Sequence, residues 1–296
     1  WQVLRKFIIK VEVENTNRMN ALVARYCGYD PTAEDAEKVW TRAGNIVKRV
    51  ISSKSQSDDD DQNIADRLQG ELGAFKVGVG AYLIRRKEIE DAMMSAALTL
   101  PAASIIENTA GFNAIGLAVI VGEAGNLSNY SSVRKLWRRL GLGMAQGHES
   151  KAYSTWRKEG GLSAEDWTIA GYSPTRLAQI YGVVSVPLAM HKKKNKYGEI
   201  YDKRRAHTKV THPEWYVDKK GKAKVNAKGE PSSAHAANDA IRIITKAFLF
   251  DLWKCWNQSM TNVKNTVSSA EDEQSKVKKG VASSQQVKSR AKLVPA

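Results

Sequence analysis

Apolar residues recur with helical spacing along most of this chain. Ala36, Val39, Trp40, Ala43, Ile46, Val47 and Val50 follow the i, i+3, i+4, i+7 repeat of one helix face, so the spacing predicts an amphipathic helix. Ahead of it, Thr32-Ala33-Glu34-Asp35 has the order of a capping box, in which side chains satisfy the first orphan amides. A longer pattern runs from Ile64 to Leu100 through Leu68, Leu72, Phe75, Val79, Leu83, Ile89 and Met93. Gly70, Gly73, Gly78 and Gly80 interrupt it and predict a kink or a close helix contact. Ser52 to Asp61 is polar and closes on four aspartates. It reads as a solvated loop and not a metal site, because adjacent carboxylates do not converge on one ion. Before residue 30 no periodicity decides, and Val3 to Val13 fits a strand or a short helix equally.

Pro101 ends the long pattern. Two short helices follow within 104–125, joined by Ala110-Gly111-Phe112-Asn113. Ser173-Pro174 opens a helix through Leu177, Ile180, Tyr181 and Val184. Pro213 to Pro231 holds Trp215-Tyr216-Val217, then Gly221 and Gly229 among lysines, the composition of a small basic hairpin or excursion. Ser232 or Ser233 caps a last helix whose buried stripe is Ile241, Ile244, Phe248, Leu252 and Cys255 or Trp256. Trp137, Trp253 and Trp256 are expected in the core. After about Asn262 the chain turns to Ser, Gln and Lys and is expected to be disordered or extended. The expected fold class is therefore mainly α: a helical domain with a helix-hairpin-helix element, long N-terminal helices with a coiled coil as their alternative form, and a basic excursion. It divides into an N-terminal helical region (1–100), a central domain (101–262) and a polar basic tail (263–296).

Charge then narrows the class of partner. The 296 residues carry 46 Lys and Arg against 31 Asp and Glu, a formal net charge of +15, so an acidic partner is expected. Nucleic acid comes first, DNA with RNA as the alternative, and an anionic membrane surface second. The longest apolar run, Ala114 to Val121, is too short to cross a bilayer, and Arg5, Lys6 and Lys10 break up any leader. A cytoplasmic, nucleoid-associated protein of bacterial or phage origin is the expectation, with no membrane partner. The start at Trp1 reads as a trimmed or partial product. Cys27 and Cys255 fit a reducing compartment as small buried hydrophobes, with a disulfide as the alternative. His207, His212 and His235 match no metal spacing and read as surface histidines. Gly78-Val79-Gly80 lacks the third glycine of a nucleotide fingerprint. Arg85-Arg86-Lys87 followed by Glu88, Glu90 and Asp91 gives a charged face, through which residues 64–100 are expected to pair as a homodimer.

The turn at 110–113 carries the candidate chemistry. Gly111 permits a tight turn, Asn113 tolerates a left-handed backbone, and Phe112 anchors the turn in the core. The second helix then starts near Ala114 with its first amides directed outward, where they take a phosphate oxygen without reading a base. A plain helical hairpin packed through its glycines is the competing reading. Further candidate contacts are Arg134, Lys135, Arg138 and Arg139, then Lys192, Lys193 and Lys194, then Arg204 and Arg205. Tyr197 and Tyr201 lie among them, available for base stacking. A solvated basic face competes here too.

The order of residues from Gly111 to Leu142 resembles the C-terminal domain of insertion-sequence transposases, the bridge-RNA-guided recombinases. That family shows a proline-glycine-hydrophobic-glycine turn, an alanine-rich helix, a Gly-Asp-x-x-x-Phe element, a helix with a leucine, and a Gly-Leu pair. Here Ala110-Gly111-Phe112-Asn113 stands at the turn and Ala118 in the helix. Gly125-Asn126 with Tyr130 matches the third element, and Leu136 with Gly141-Leu142 the last. Gly171-Tyr172-Ser173-Pro174-Thr175-Arg176-Leu177 resembles the family's glycine-to-arginine helix start, which adds Arg176 to the candidate contacts. Tyr201 to Lys209 and 236–256 are weaker echoes, so the resemblance covers about half the chain.

The resemblance implies phosphate-backbone binding by this region and, in the whole enzymes, DNA recombination and transposition in a mobile element. Those enzymes add a resolvase-like nuclease domain whose four acidic residues bind magnesium, and this chain shows no counterpart. Magnesium is thus expected only with a separately supplied nuclease domain, and no cofactor otherwise. The family's serine nucleophile stands beside glycine. Here only Ser150 and Ser154 offer themselves, outside that context, and exposed loop serines compete. No catalysis by this chain alone is expected. Three functional readings stay open: a transposase-like DNA-binding protein, a fragment of an active recombinase, and a structural nucleoprotein component that binds RNA.

Overall fold

The computed structural model describes residues 1–143, 173–218, 220–226, 229 and 231–290, the stretch 263–290 as helix backbone. The chain is mainly α, with no strand among the described residues. It divides into two compact units, Trp1–Leu98 and Thr99–Ala296.

In the first unit, α1 (Gln2–Tyr26) packs on α2 (Ala36–Ile51) and on α4 (Gln69–Ala97), with the short α3 (Asp59–Arg67) leading into α4. The core joins Val23 and Ala24 of α1 to Ala43, Ile46 and Val47 of α2, closed by Ala65, Leu68 and Leu72. The predicted α2 stripe is buried at Ala43, Ile46 and Val47, whereas Trp40 is exposed. The helix start differs from the predicted one: Thr32 bonds back to Asp30 Oδ1 through its amide and hydroxyl, and the helix begins at Ala36 without a side-chain cap. The expected capping box gives way to a local Asx turn.

Residues 2–26 form one long helix where a strand or short helix was expected. The face its first half buries is mostly polar: Gln2, Arg5 and Glu12 lie inside with Ile8, while Trp1, Val3 and Phe7 are exposed. Arg5 Nε meets Glu90 Oε1 at 2.7 Å, and Glu12 Oε2 takes a hydrogen bond from Arg86 Nη1. Ion pairs to α4 hold this half, so hydrophobic periodicity is silent there.

The aspartate run is not a solvated loop. Asp58 caps α3 by accepting from the Asp61 amide at 2.8 Å, and Asp59 to Asp61 form the first turn, where carboxylates complement the helix dipole. Asp61 is buried and accepts from Arg42 Nε at 2.6 Å and Ser57 Oγ at 2.7 Å. The long helix expected from Ile64 to Leu100 breaks at Leu68, whose buried side chain sits on a non-helical backbone (φ −104°, ψ 19°). The α4 glycines mark neither the break nor a close contact, since a Cβ on any of the four would meet nothing within 4 Å.

The second unit is assembled on α11 (Ala234–Arg290), capped by Ser233 Oγ, which accepts from the Ala236 amide at 3.2 Å. Before it come α5 (Ser104–Glu107), α6 (Ala114–Ala124) and α7 (Val133–Arg139), then α8 (Pro174–Ile180), α9 (Val186–Met190) and α10 (Gly198–Thr211). A single π-turn, Tyr181–Ser185, links α8 to α9. The side chains of α11 buried in this core are Ile244, Phe248, Leu249, Leu252 and Trp256, with Ile241 and Cys255 half-buried at the margin. The helix continues to Arg290, where a disordered or extended tail was expected after Asn262. The predicted excursion is a 3-10 turn, Pro213–Tyr216, followed by two isolated bridges, Val217 to Ala223 and Val225 to Pro231. Cys27 and Cys255 are free thiols and half-buried, less enclosed than expected. No helix of the described residues is long and apolar enough to cross a membrane.

Candidate nucleic-acid interface

Gly111 takes φ +89°, the left-handed region that glycine enters without cost. Its backbone lies against α9 so closely that a Cβ would stand 2.4 Å from the Pro187 carbonyl oxygen. Phe112 is buried, its ring 4.4 Å from that of Phe248. Asn113 has an extended backbone, not a left-handed one, and works as the cap of α6: its Oδ1 accepts from the Gly116 amide at 3.0 Å. One of the amides expected to face a phosphate is therefore spent inside the cap. Ala114, the first residue of α6, is half-buried.

What the turn does hold is the lysine run. Lys192, Lys193 and Lys194 form a single 3-10 turn directly after α9. The following Asn195 donates Nδ2 to the Ala110 carbonyl at 3.0 Å and to the Leu188 carbonyl at 3.0 Å. Its Oδ1 takes the Tyr197 amide at 3.0 Å. Gly198 then passes under the run, with space for no side chain: a Cβ would meet the Lys192 carbonyl oxygen. Two segments 85 residues apart, both expected to contact phosphate, thus form one surface. Lys193 and Lys194 are exposed and have no carboxylate partner among the described residues. Lys192 is partly engaged, paired with Asp202 and lying over the Tyr201 ring at 4.3 Å.

The other predicted cations divide by their partners. Arg134 and Lys135 project from α7 into solvent. Arg138 is half-buried, and Arg139 donates Nε to the Glu123 carbonyl at 3.2 Å. Arg176 lies 3.5 Å from the buried Glu123 carboxylate, and Arg204 pairs with Asp239, itself also within 3.2 Å of Arg242. These contacts tie α8 to α6 and α10 to α11. Arg205 is half-buried, and its carbonyl accepts from Thr208 Oγ1 at 3.0 Å. Ser150 and Ser154, with His148 and Glu149, lie outside the described residues, as do Gly171 and Tyr172.

The Gly125-Asn126 and Tyr130 element holds α11. Asn126 Oδ1 accepts from Trp256 Nε1 at 3.0 Å, the Tyr130 carbonyl accepts from Trp253 Nε1 at 3.2 Å, and Tyr130 Oη donates to the Ala124 carbonyl at 2.6 Å. Of the three tryptophans expected in the core only Trp256 is buried, Trp137 and Trp253 being half-buried, and the indole of each donates across elements. His235 is exposed, as its surface reading expects, and His212 is half-buried. Both lie against Trp215, His212 stacked at 4.1 Å and His235 edge-on at 4.3 Å. Among the described residues no group of three or more His, Cys, Asp or Glu is placed to hold a metal ion.

Sequence reasoning missed Asn195 and Lys246. Lys246 stands between Ile243-Ile244-Thr245 and Ala247-Phe248-Leu249-Phe250 of α11, a lone charge within 243–250, and that isolation was the available signal. Comparison with protein families, curated proteins and solved structures finds no match to this chain.

Proposed function

We propose that this chain binds nucleic acid, DNA in the first instance, by gripping the phosphate backbone with the surface where the Gly111–Asn113 turn meets Lys192–Lys194. The observation that carries the reading is the Asn195 side chain, which fixes the lysine run to the Ala110 carbonyl. A run whose backbone is held in a short 3-10 turn has less backbone entropy left to lose when it binds. The formal charge of +15 favours the same class of partner, and Arg134 and Lys135 are two further exposed cations on α7. The turn contributes as scaffold, because its glycine and phenylalanine are packed inward.

The resemblance to transposase C-terminal domains fits such sequence-tolerant backbone binding, and it remains part of the proposal, as does self-pairing along α4, where Val77 and Ile84 are exposed. The test is a binding titration of the protein on a duplex at a series of salt concentrations. A linear fall of log affinity with log salt supports the reading, and affinity indifferent to salt and to Lys193→Gln with Lys194→Gln rules it out.

A further inference from the structure

A pocket of about 490 Å³ opens between α7, the segment after the lysine run, and α11. That volume lies in the range of about 300–1,000 Å³ typical of small-molecule sites. Trp137 and Phe250, the latter with 44% of its surface exposed, line the pocket, and Tyr197 lies beneath, buried and so not open to the base stacking expected of it. Two isoleucines, Ile200 and Ile243, complete the apolar lining.

Three charged groups stand among these rings, and two of them cancel. Asp251 Oδ2 accepts from Tyr197 Oη at 2.8 Å and pairs with Lys196 Nζ at 2.7 Å, so this oxygen already has two partners. Lys246 is the third. Its ammonium lies 5.5 Å over the Trp137 ring and has no carboxylate within ion-pair distance among the described residues. Its backbone carbonyl accepts from Trp137 Nε1 at 3.1 Å, which fixes ring and lysine together. Burial, with the positive charge of Arg242 second, draws Lys246 below the ordinary lysine pKa. A cation half-buried among apolar side chains, with Asp239 as its only opposing influence, is costly, and an anionic ligand lowers that cost.

A flat aromatic ligand with a negative charge attached answers both features, and the pocket's position selects which one. Lys196 lines it, two residues beyond the Lys192–Lys194 turn. We infer that the pocket receives one unpaired nucleotide, its base against Phe250 and Trp137 and its phosphate at Lys246. A paired base inside a duplex offers only its edges and cannot enter, whereas an unpaired base presents a π-face for stacking. The inference rests on the nucleic-acid reading above and goes further, because it makes the protein a sensor of unpaired positions.

The experiment compares the full chain on three labelled oligonucleotide forms of one sequence: single strand, perfect duplex, and duplex with one bulged 2-aminopurine. Each is made in deoxy and ribo versions to separate DNA from RNA. The bulged duplex should bind roughly tenfold tighter than the perfect one, with a change in 2-aminopurine fluorescence on stacking. Phe250→Ala and Lys246→Gln should remove that advantage and the fluorescence change while leaving affinity for the perfect duplex intact. Phe250→Trp and Lys246→Arg should keep both. Phe250 is exposed enough that its truncation leaves the core in place. Equal affinity for bulged and perfect duplexes, or variants that weaken both alike, overturns the pocket assignment while the backbone reading stands. No binding to any form in either chemistry overturns both.

Discussion

The Asn195 Nδ2 group donates to the Ala110 carbonyl at 3.0 Å, and through that bond the lysine run and the hairpin turn share one surface. Neither residue is charged, yet their contact decides where three lysines stand. Asn195→Ala removes both Nδ2 bonds and leaves the Ala110 and Leu188 carbonyls short of a donor. Urea denaturation should show a loss of about 1–3 kcal/mol. DNA affinity should fall with it although no cation has been removed. Asn195→Asp should fail similarly, because a carboxylate cannot donate.

Gly111→Ala tests the turn. The left-handed backbone costs an L-residue about 1–2 kcal/mol, and the clash with the Pro187 carbonyl adds an overpacking penalty of about 1–3 kcal/mol. Gly28 has a comparable φ of +76° but open space around it, so Gly28→Ala should carry the backbone cost alone. Thermal melts of the two variants separate conformation from packing. Equal shifts would remove the close approach to α9 from the account.

Phosphate contact and internal pairing predict different signatures. Lys193→Gln and Lys194→Gln should each reduce the slope of log affinity against log salt by about 1 without moving Tm. Arg204→Gln should do the reverse. It leaves Asp239 with only Arg242 and should cost about 2 kcal/mol of stability, with the salt slope nearly unchanged.

The first unit should respond to pH through Glu12. Burial raises its pKa above the ordinary 4.5, opposed chiefly by Arg86. The folded state therefore holds this proton more tightly than the unfolded state. Glu12 contributes most below pH 4.5, and that contribution is lost as pH rises through the folded value. Denaturation at a series of pH values should show wild type losing ground to Glu12→Gln across this window. A constant difference between them would mean that Glu12 titrates as it does unfolded.

Periodicity and caps are local properties, and the sequence by itself determined what depends on them. The α2 stripe of Ala43, Ile46 and Val47, the Ser233 cap and the buried Ile244, Phe248 and Leu252 of α11 all follow from spacings of three and four. Other features depend on partners far along the chain. Arg5 and Glu12 turn inward only because Glu90 and Arg86 are there to meet them, so the first half of α1 buries a mostly polar face. Asp61 is buried only because Arg42, 19 residues earlier, reaches it. Likewise Lys192–Lys194 lies beside Gly111, and Lys246 over Trp137, through contacts between residues 85 and 109 apart. A polar side chain is buried at a gain only where a partner satisfies it, and the partner's position is a property of the packed chain. The α2 and α11 core stripes were thus written locally, α1, α3 and the helix after Asn262 were not, and the tertiary structure alone decided which polar residues lie inside and which cations remain free to bind.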